Sequence, residues 1–280
     1  MNEKTQTVCV YGKNLKIRLI HPENPDEMKK KPILVFLHEG LGCIDMWKEF
    51  PDMLCRKTGL GGLIYDRLGY GGSEISETPF SPDYLKNEAL LTLPVVLEAL
   101  EINDVILVGH SDGGSIAIIA AAMWRGEGLS RIHGIIAEAA HIFVEPVTVK
   151  GIEETVSAYE STDLKDKLSK YHGDRTESVF RRWADIWLSD AFRSFNLEDL
   201  VPQIHCPMLF LQGDEDEYAT FMHLERIFTL ATARPKEDLP FPTKAKLIKG
   251  ARHVPHLQAK LDVLDEMGRF ISIVIQNSDN

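Results

Sequence analysis

The chain has 280 residues, of which 44% are hydrophobic and 26% are charged. This composition is typical of globular proteins and excludes disordered, collagen-like and low-complexity chains. Lysine and arginine number 31 against 42 aspartates and glutamates, which gives a net charge of −11. The acidic balance argues against a nucleic-acid partner, which needs a basic face, and against docking on anionic membranes.

The N-terminal half alternates short apolar runs with helical patterns. Residues 5–10 and 15–20 predict two strands joined by a turn. The apolar runs at 32–37, 60–65 and 105–108 predict strands that are buried on both faces. The pattern over 84–100 predicts one helix that has Ser81 as its cap and Pro82 in its first turn, and the apolar stretch 115–123 predicts a buried helix.

The C-terminal half continues this alternation around one long interruption. Further strands are predicted at 132–140, 208–211 and 245–248, followed by an amphipathic helix over 256–275. The alternation predicts an α/β fold with a mostly parallel, eight-stranded sheet flanked by helices. No strand is predicted between 146 and 204, so this segment is expected to be a helical cap insert in a core domain of residues 1–145 and 205–280.

The insert is rich in charge but carries seven large aromatic residues. Such rings either cover a pocket or fill the interface between the insert and the body, because aromatic side chains dominate interfaces generally. The seven are Tyr159, Tyr171, Phe180, Trp183, Trp187, Phe192 and Phe195.

The four cysteines, at positions 9, 43, 55 and 206, form no CxxC pair and no metal-ligand spacing with histidine. A structural metal is therefore not expected. No apolar run reaches 18 residues, and the N-terminus lacks a signal-peptide pattern. These features predict a cytoplasmic protein with reduced thiols and no membrane association, and they are compatible with a homo-oligomer.

A candidate nucleophile lies in Gly109-His110-Ser111-Asp112-Gly113, which fits G-x-S-x-G. The motif directly follows a predicted strand and directly precedes a predicted helix, and this context gives the pattern its meaning. A sharp turn there would hold the Ser111 hydroxyl clear of the backbone at a helix N-terminus, where developing negative charge is favoured.

A serine hydroxyl needs a base, and the base needs a carboxylate to orient it. His253 lies in the loop between the last strand and the last helix, at the expected carboxyl edge of the sheet. His256 is the rival base, but it is expected to lie already in the helix. Asp216 is the preferred acid, three residues after Gly213, and Asp214 is the alternative.

An acyl-transfer site also needs donors for the oxyanion. The backbone N–H of Asp112, directly after the candidate nucleophile, is one expected donor. The second is expected from His38-Glu39-Gly40-Leu41-Gly42, where Gly40 is preferred and Leu41 is the alternative.

Taken together, these segments resemble the α/β-hydrolase superfamily in four ordered motifs, 38–42, 109–113, 213–216 and 250–253. Residues 66–73 are similar to the loop after the fourth strand in that family. One departure is Glu39, because many members have His-Gly where this chain has His38-Glu39. The resemblance covers roughly 30–145 and 205–275, and the segment 146–204 falls where the family places its cap. It implies a Ser–His–Asp hydrolase that needs no cofactor.

The expected reaction is hydrolysis of a small-to-medium carboxylic ester or lactone, a small-molecule substrate, through an acyl-enzyme. The substrate pocket is expected to involve Leu41, His110, Trp183 and Trp187. The same triad also serves carbon–carbon bond hydrolases, amidases and perhydrolases, and the fold serves non-catalytic binding proteins. A proline-specific peptidase is less favoured, because it needs acidic residues to bind the amine of its substrate and the sequence offers no evident run of them. The candidates are the scattered cap residues Glu153, Glu154 and Glu160.

Overall fold

The computed structural model of this chain describes residues 3–22, 31–75, 81–124, 128–233 and 241–278. Its strands are β1 (Glu3–Val10), β2 (Lys13–Ile20), β3 (Ile33–Leu37), β4 (Gly62–Tyr65), β5 (Asp104–His110), β6 (Arg131–Glu138), β7 (Met208–Gly213) and β8 (Thr243–Ile248). They form one sheet in the order β1-β2-β4-β3-β5-β6-β7-β8. The pairs β1–β2 and β2–β4 are antiparallel, and the other pairs are parallel. The predicted fold class is confirmed.

The helices lie between the strands and on both faces of the sheet. They are α1 (Phe50–Thr58), α2 (Tyr84–Asn87), α3 (Leu93–Ala99), α4 (Asp112–Met123), α5 (Pro146–Ser161), α6 (Leu164–His172), α7 (Thr176–Leu188), α8 (Met222–Thr232), α9 (Pro255–Gln258) and α10 (Lys260–Ser278). None within the described ranges is long and apolar enough to cross a membrane.

The central strands are buried on both faces, which explains their uninterrupted apolar sequences. Along β3, Val35 and Leu37 pack into the core on one face, whereas Leu34 and Phe36 pack into the core on the other. Helices α3, α4 and α8 contact the sheet on the first face, and α1 and α10 contact it on the second. Successive side chains of a strand point to opposite faces, so a strand covered on both sides needs apolar residues throughout.

The predicted helix over 84–100 is not one regular helix, and the predicted Ser81 cap is wrong. The helix begins at Tyr84 after Asp83, and Ser81 contributes only a carbonyl that accepts from the Tyr84 N–H at 3.0 Å. Residues 88–92 form a π-helical turn in which the Leu93 N–H donates to the Glu88 carbonyl. Pro94 follows at once, and it has no N–H to continue the regular ladder.

The predicted C-terminal helix over 256–275 is interrupted near its start. Helix α9 ends at Gln258, and Ala259 adopts a non-helical backbone with φ of −124° and ψ of 47° before α10 begins. This break leaves His256 in a short separate helix.

The segment 146–204 contains α5, α6, α7 and three short 3₁₀ turns at 173–175, 192–194 and 201–203. It lies between β6 and β7 in the chain, so it leaves the sheet at the carboxyl end of β6. The mutually parallel strands β3, β4, β5, β6, β7 and β8 all end at this edge. The loops after them carry the candidate site residues.

Candidate active site

Ser111 lies in a tight turn between β5 and α4. Its φ is +53°, a left-handed conformation that is rare for a residue with a side chain. Two glycines make the turn possible. A Cβ on Gly109 would lie 2.0 Å from the carbonyl oxygen of Gly113, and a Cβ on Gly113 would lie 1.9 Å from the carbonyl oxygen of Leu37. The turn therefore closes only because both positions lack a side chain.

The structure brings Ser111, His253 and Asp216 together in a hydrogen-bonded chain. His253 Nε2 lies 3.0 Å from Ser111 Oγ, and His253 Nδ1 lies 2.9 Å from Asp216 Oδ1. Because a carboxylate only accepts, Nδ1 carries the proton and Nε2 presents its lone pair to the serine. Burial raises the pKa of Asp216, but the charge and hydrogen bond of His253 more than offset this, so the net pKa is lowered. Asp216 is therefore an anion beside His253.

The alternative residues are engaged elsewhere. Asp214 Oδ1 accepts from the Gly250 N–H at 2.7 Å, which ties two loops together away from the histidine ring. His256 Nδ1 donates to Glu138 Oε2 at 2.7 Å, and its backbone N–H donates to the other oxygen of the same carboxylate at 2.6 Å. The contacts thus favour Asp216 over Asp214 and His253 over His256.

The backbone of the 38–42 loop is fixed by donors to one carbonyl. The Glu39 carbonyl oxygen accepts from Arg67 Nη2 at 2.7 Å, His38 Nδ1 at 2.8 Å and the Gly42 N–H at 3.1 Å. In a trans peptide the following N–H points the opposite way. The Gly40 N–H is therefore turned away from this cluster, and both Gly40 and Leu41 line the cavity beside Ser111.

Three further features surround these backbone groups. Asp112 is the first residue of α4, so its N–H has no intrahelical partner. A Cβ on Gly40 would lie 2.2 Å from Trp183 Cδ1, so only glycine fits beneath that ring. The Leu41 carbonyl accepts from His172 Nε2 at 2.8 Å, which connects α6 to the same loop.

The loop 66–73 packs against the 38–42 loop and against the residues that follow it. Asp66 accepts from the Ile44 N–H at 2.6 Å and from the Gly72 N–H at 2.7 Å. A Cβ on Gly71 would lie 2.2 Å from Asp66 Oδ2, so glycine is needed where the loop folds over the carboxylate. The loop contacts the 38–42 loop itself through Arg67, whose Nη2 donates to the Glu39 carbonyl at 2.7 Å.

A cavity of about 490 Å³ opens onto Ser111 and His253. Its volume lies within the ordinary range for small-molecule sites. The structure places all four predicted pocket residues, Leu41, His110, Trp183 and Trp187, on its walls. The walls also include residues that were not predicted as pocket residues, namely Glu39, Met46, His141, Ile152, Thr155, Leu164, Leu168, Glu217, Tyr218 and Arg252, together with Glu154, which the sequence offered for a substrate amine.

For some of the wall residues that were not predicted, the sequence did contain a signal that they lie near the site. Glu39 and Glu217 directly adjoin residues of the predicted motifs, and His141 lies three residues after the end of β6 at the same sheet edge. Positions that follow parallel strands converge, so these side chains could have been included. The helix residues Ile152, Leu164 and Leu168 carried none, because an apolar residue on an amphipathic helix has no mark of what it faces.

Three carboxylates border the cavity, which corrects the expectation that only the insert supplies acidic residues. Glu154 comes from α5, whereas Glu39 and Glu217 come from loops of the core. The Glu217 carboxylate accepts from the His253 N–H at 3.1 Å and lies 3.1 Å from the Arg252 guanidinium. Its charge is thus partly neutralised within the site.

The aromatic residues of the insert divide between the two expected roles. Trp183 and Trp187 line the cavity, and Trp187 Nε1 donates to the Tyr84 hydroxyl at 2.8 Å. Tyr84 in turn donates to Asp112 Oδ2 at 2.7 Å, so a buried chain of hydrogen bonds joins the insert to the serine turn. Elsewhere in the insert the rings pack on one another; Tyr159 stacks on Phe180 with centroids 3.7 Å apart.

Among the described residues, no group of three or more His, Cys, Asp or Glu side chains is placed to hold a metal ion. The groups at the cavity are a candidate nucleophile, a candidate base and candidate backbone donors. Groups of these types in this order are suited to acyl transfer by general acid–base and covalent catalysis.

The chain is similar in sequence to known hydrolases. Residues 34–266 match the model of the alpha/beta hydrolase family. The human serine hydrolase BPHL is 30% identical over 59% of this chain, and the chain spans 56% of that protein. A proline iminopeptidase from Lactobacillus delbrueckii subsp. bulgaricus is 30% identical over 80% of this chain and 84% of its own length.

Solved structures share the fold at lower sequence identity. A putative lipase from Acinetobacter baumannii superimposes with a TM-score of 0.73 at 18% identity, covering 98% of this chain and 93% of the lipase. The enol-lactonase from Burkholderia xenovorans superimposes with a TM-score of 0.69 at 16% identity, covering 95% of this chain and 100% of the lactonase. At these identities the similarity establishes the fold alone.

Proposed function

This chain belongs to the alpha/beta hydrolase family, and we propose that it is a serine hydrolase that cleaves a small-to-medium carboxylic ester or lactone. The observation that carries the proposal is the Ser111–His253–Asp216 chain, with contacts of 3.0 and 2.9 Å, at the wall of a cavity. The family accounts for hydrolysis in general. The ester or lactone substrate rests on the chemistry of the site.

The proposed reaction has two halves. Ser111 Oγ attacks the substrate carbonyl carbon while His253 Nε2 takes the hydroxyl proton, and the Gly40 and Asp112 N–H groups bind the oxyanion. The carbon–oxygen bond to the leaving alcohol breaks as His253 returns the proton to it, leaving an acyl-serine. Water then attacks the acyl carbon, His253 takes a proton from it and passes that proton to Ser111 Oγ, and the carboxylic acid leaves.

The walls of the cavity support an acyl group of modest size. Leu41, Met46, Ile152, Leu164 and Leu168 supply apolar surface, and about 490 Å³ accommodates a short or medium chain. Apolar walls with a few placed polar groups are typical of small-molecule sites. An ester or lactone carbonyl is more electrophilic than an amide carbonyl. The barrier to attack by the serine is therefore lower for an ester or lactone than for an amide.

The first test is hydrolysis of p-nitrophenyl esters from acetate to laurate by the wild type and by Ser111→Ala. We expect hydrolysis that depends on chain length, and a loss of kcat of at least about 10³-fold in Ser111→Ala, because without the nucleophile only binding and the oxyanion donors remain. Ser115→Ala is the matched control. It lies one turn further along α4, its hydroxyl donates to the His141 carbonyl at 2.7 Å, and it should keep activity within a few-fold.

A fluorophosphonate probe completes this test. Covalent labelling of the wild type but not of Ser111→Ala is expected. Wild-type turnover in Ser111→Ala would refute the assignment of the nucleophile. An unlabelled wild-type protein that hydrolyses no ester would favour a non-catalytic binding protein on this fold.

A second candidate is an aminopeptidase that acts on an N-terminal proline. Two observations favour it: three carboxylates border the cavity, and a proline iminopeptidase is 30% identical over 84% of its length. Proline p-nitroanilide and its N-acetyl derivative discriminate the two functions. An aminopeptidase cleaves the free amine and not the acetylated form, with kcat/KM above that for any ester, whereas the proposed esterase favours the esters.

A further inference from the structure

His110 lies between two loops of the candidate site and contacts both. Its Nε2 lies 2.7 Å from the backbone carbonyl oxygen of His253, and its Nδ1 lies 3.4 Å from Glu39 Oε2. Glu39 adjoins the preferred oxyanion donor Gly40, and His253 is the candidate base. One imidazole ring therefore connects the loop that holds the oxyanion donor to the loop that holds the base.

The two contacts suit a ring that carries a proton on each nitrogen. A carbonyl oxygen and an ionised carboxylate only accept hydrogen bonds, so a ring that bonds to both donates from Nδ1 and from Nε2. A ring that donates from both nitrogens is an imidazolium. Burial lowers the pKa of His110, but the hydrogen bond and charge of Glu39 more than offset this and raise it to about 9. Burial likewise raises the pKa of Glu39, and His110 lowers it to about 2.

The surroundings hold this ion pair in place. His110 is 1% exposed. A Cβ on Gly42 would lie 2.4 Å from Glu39 Oε2, so the glycine leaves the space in which the carboxylate sits. This accounts for the pairing of an acidic residue at position 39 with a glycine at position 42, which the catalytic steps leave unexplained.

Other titratable groups face His110 from the elements packed against it. The Glu138 carboxylate of β6 acts on it electrostatically, and the ring of His256 on α9 lies 4.9 Å away. The ring of His253 lies 5.3 Å away. Glu138 is itself engaged by His256 at 2.7 Å, so Glu39 is the carboxylate that hydrogen-bonds to His110 directly.

We propose that the Glu39–His110 ion pair is a positioning device that holds the His253 backbone, and with it the catalytic ring, in register with the oxyanion donor at Gly40. The proposal rests on the proposed function, because it assigns a role to residues beside that triad. His110 acts through His253 and touches no reacting atom in this role. The restraint is complete while His110 is protonated and weakens when it loses the proton that it donates to Glu39.

The expected effect is on turnover and not on substrate affinity. Misplacement of a catalytic group by about 1 Å costs on the order of 10²-fold in rate. We therefore expect His110→Gln and Glu39→Ala to lower kcat by about 10- to 100-fold with KM within about 3-fold of the wild type. Glu39→Gln is the conservative variant. Its amide can donate to Nδ1 of a neutral His110 ring that still donates from Nε2, so kcat at pH 7 should stay within about 3-fold.

The decisive measurement is the pH dependence of kcat between pH 6 and 10.5, on the best ester of the series and corrected for spontaneous hydrolysis. The wild type should lose kcat as pH rises through about 9, the pKa of His110. His110→Gln and Glu39→Gln should lack this alkaline decline, because neither depends on the His110 imidazolium. Asp214→Asn is the matched control. It removes a carboxylate that binds the Gly250 N–H away from the His253 ring, and it should leave the alkaline decline in place.

A spectroscopic measurement tests the same proton without catalysis. In ¹⁵N-labelled Ser111→Ala protein, both ring nitrogens of His110 should carry protons at pH 7, and the signal should titrate near pH 9. The signal is assigned by its absence in the double variant with His110→Gln.

The outcomes separate this proposal from the proposed function. An alkaline decline that persists unchanged in His110→Gln, or a change in KM alone in the Glu39 variants, would overturn the positioning role and leave the Ser111-dependent reaction intact. A Glu39→Gln variant as impaired as Glu39→Ala would also overturn it. Full activity in Ser111→Ala would refute the proposed function instead.

Discussion

Asp216 and Asp214 are two residues apart and chemically identical, but their surroundings differ. Asp216 contacts the His253 ring at 2.9 Å and accepts from the Tyr218 N–H at 2.9 Å, whereas Asp214 accepts from the Gly250 N–H at 2.7 Å. The first pairing holds the ring in the tautomer that leaves Nε2 free to take a proton. The second stabilises a contact between loops. Sequence spacing favoured Asp216, and only the contacts separate the two roles.

This difference predicts unequal effects of the same substitution. Asp216→Asn should lower kcat by about 10³- to 10⁴-fold with a small change in KM, because an amide favours the wrong tautomer of His253. Asp214→Asn should change kcat by less than about 5-fold, since its carboxylate lies outside the proton path. Steady-state kinetics of both variants on one ester test this. Equal losses would show that the acid has been assigned wrongly.

The strand–turn–helix unit of β5 and α4 is the element on which the site depends most. Gly109 and Gly113 allow the helix to start against the strand, and a Cβ on either would meet backbone atoms at 2.0 and 1.9 Å. Backbone atoms cannot move aside as the end of a flexible side chain can. The sequence pattern identified this element because the glycines required for close packing are visible in it.

We expect Gly109→Ala to lower the free energy of unfolding by about 3 kcal/mol or more, at the upper end of what overpacking costs. Gly134→Ala, on the adjacent strand β6, is the control, because the nearest atoms to its Cβ would be 3.3 Å away. It should change the free energy of unfolding by less than about 1 kcal/mol. Urea unfolding of both variants provides the comparison, and similar stabilities would contradict the packing argument.

At the scale of the whole molecule, buried histidines whose pKa values are shifted in opposite directions make the stability depend on pH. Burial lowers the pKa of His38, His141 and His172, that of His141 to about 3, whereas Glu39 raises the pKa of His110 to about 9 against its burial. The first three are neutral in the folded protein, consistent with acceptor roles such as that of His172 Nδ1 toward the Gly71 N–H at 3.1 Å. Each shift links folding to proton uptake or release.

The signs of the shifts predict a stability maximum near pH 6.5. Below that pH the unfolded chain protonates the first three histidines and the folded chain does not, so each lowers the free energy of unfolding by up to about 1.4 kcal/mol per pH unit. Above it, the contribution of His110 is lost as pH rises toward about 9. Urea unfolding at pH 5 to 8 tests this, because burial also raises the pKa values of Cys43, Cys55 and Cys206 and their ionisation on unfolding adds a separate loss of stability at higher pH. His110→Gln should flatten the part above pH 6.5 only. A wild-type stability that does not vary between pH 6.5 and 8 would contradict the prediction.

The sequence determined the order of strands and helices, because a strand buried on both faces must be apolar throughout and a surface helix must be amphipathic. It also determined the serine turn and the loops after the strands, since their glycines and polar residues are required locally. It was wrong about helix continuity near Pro94 and Ala259, where the hydrophobic period continues although the backbone departs from regular helix. Hydrophobic periodicity indicates which side of a helix is buried. It carries little information on whether the backbone hydrogen bonds of that helix continue without a break.

Only the tertiary structure decided what surrounds the candidate site. Glu39 and the His253 carbonyl come from two separate loops and His110 from the end of β5, and the apolar walls come from the insert as well as the core. The distances among these groups depend on how the strands align and how the insert packs, which are long-range properties. A sequence pattern records the residue types that chemistry requires locally. It does not record which distant side chains meet, because packing of the whole chain sets those contacts.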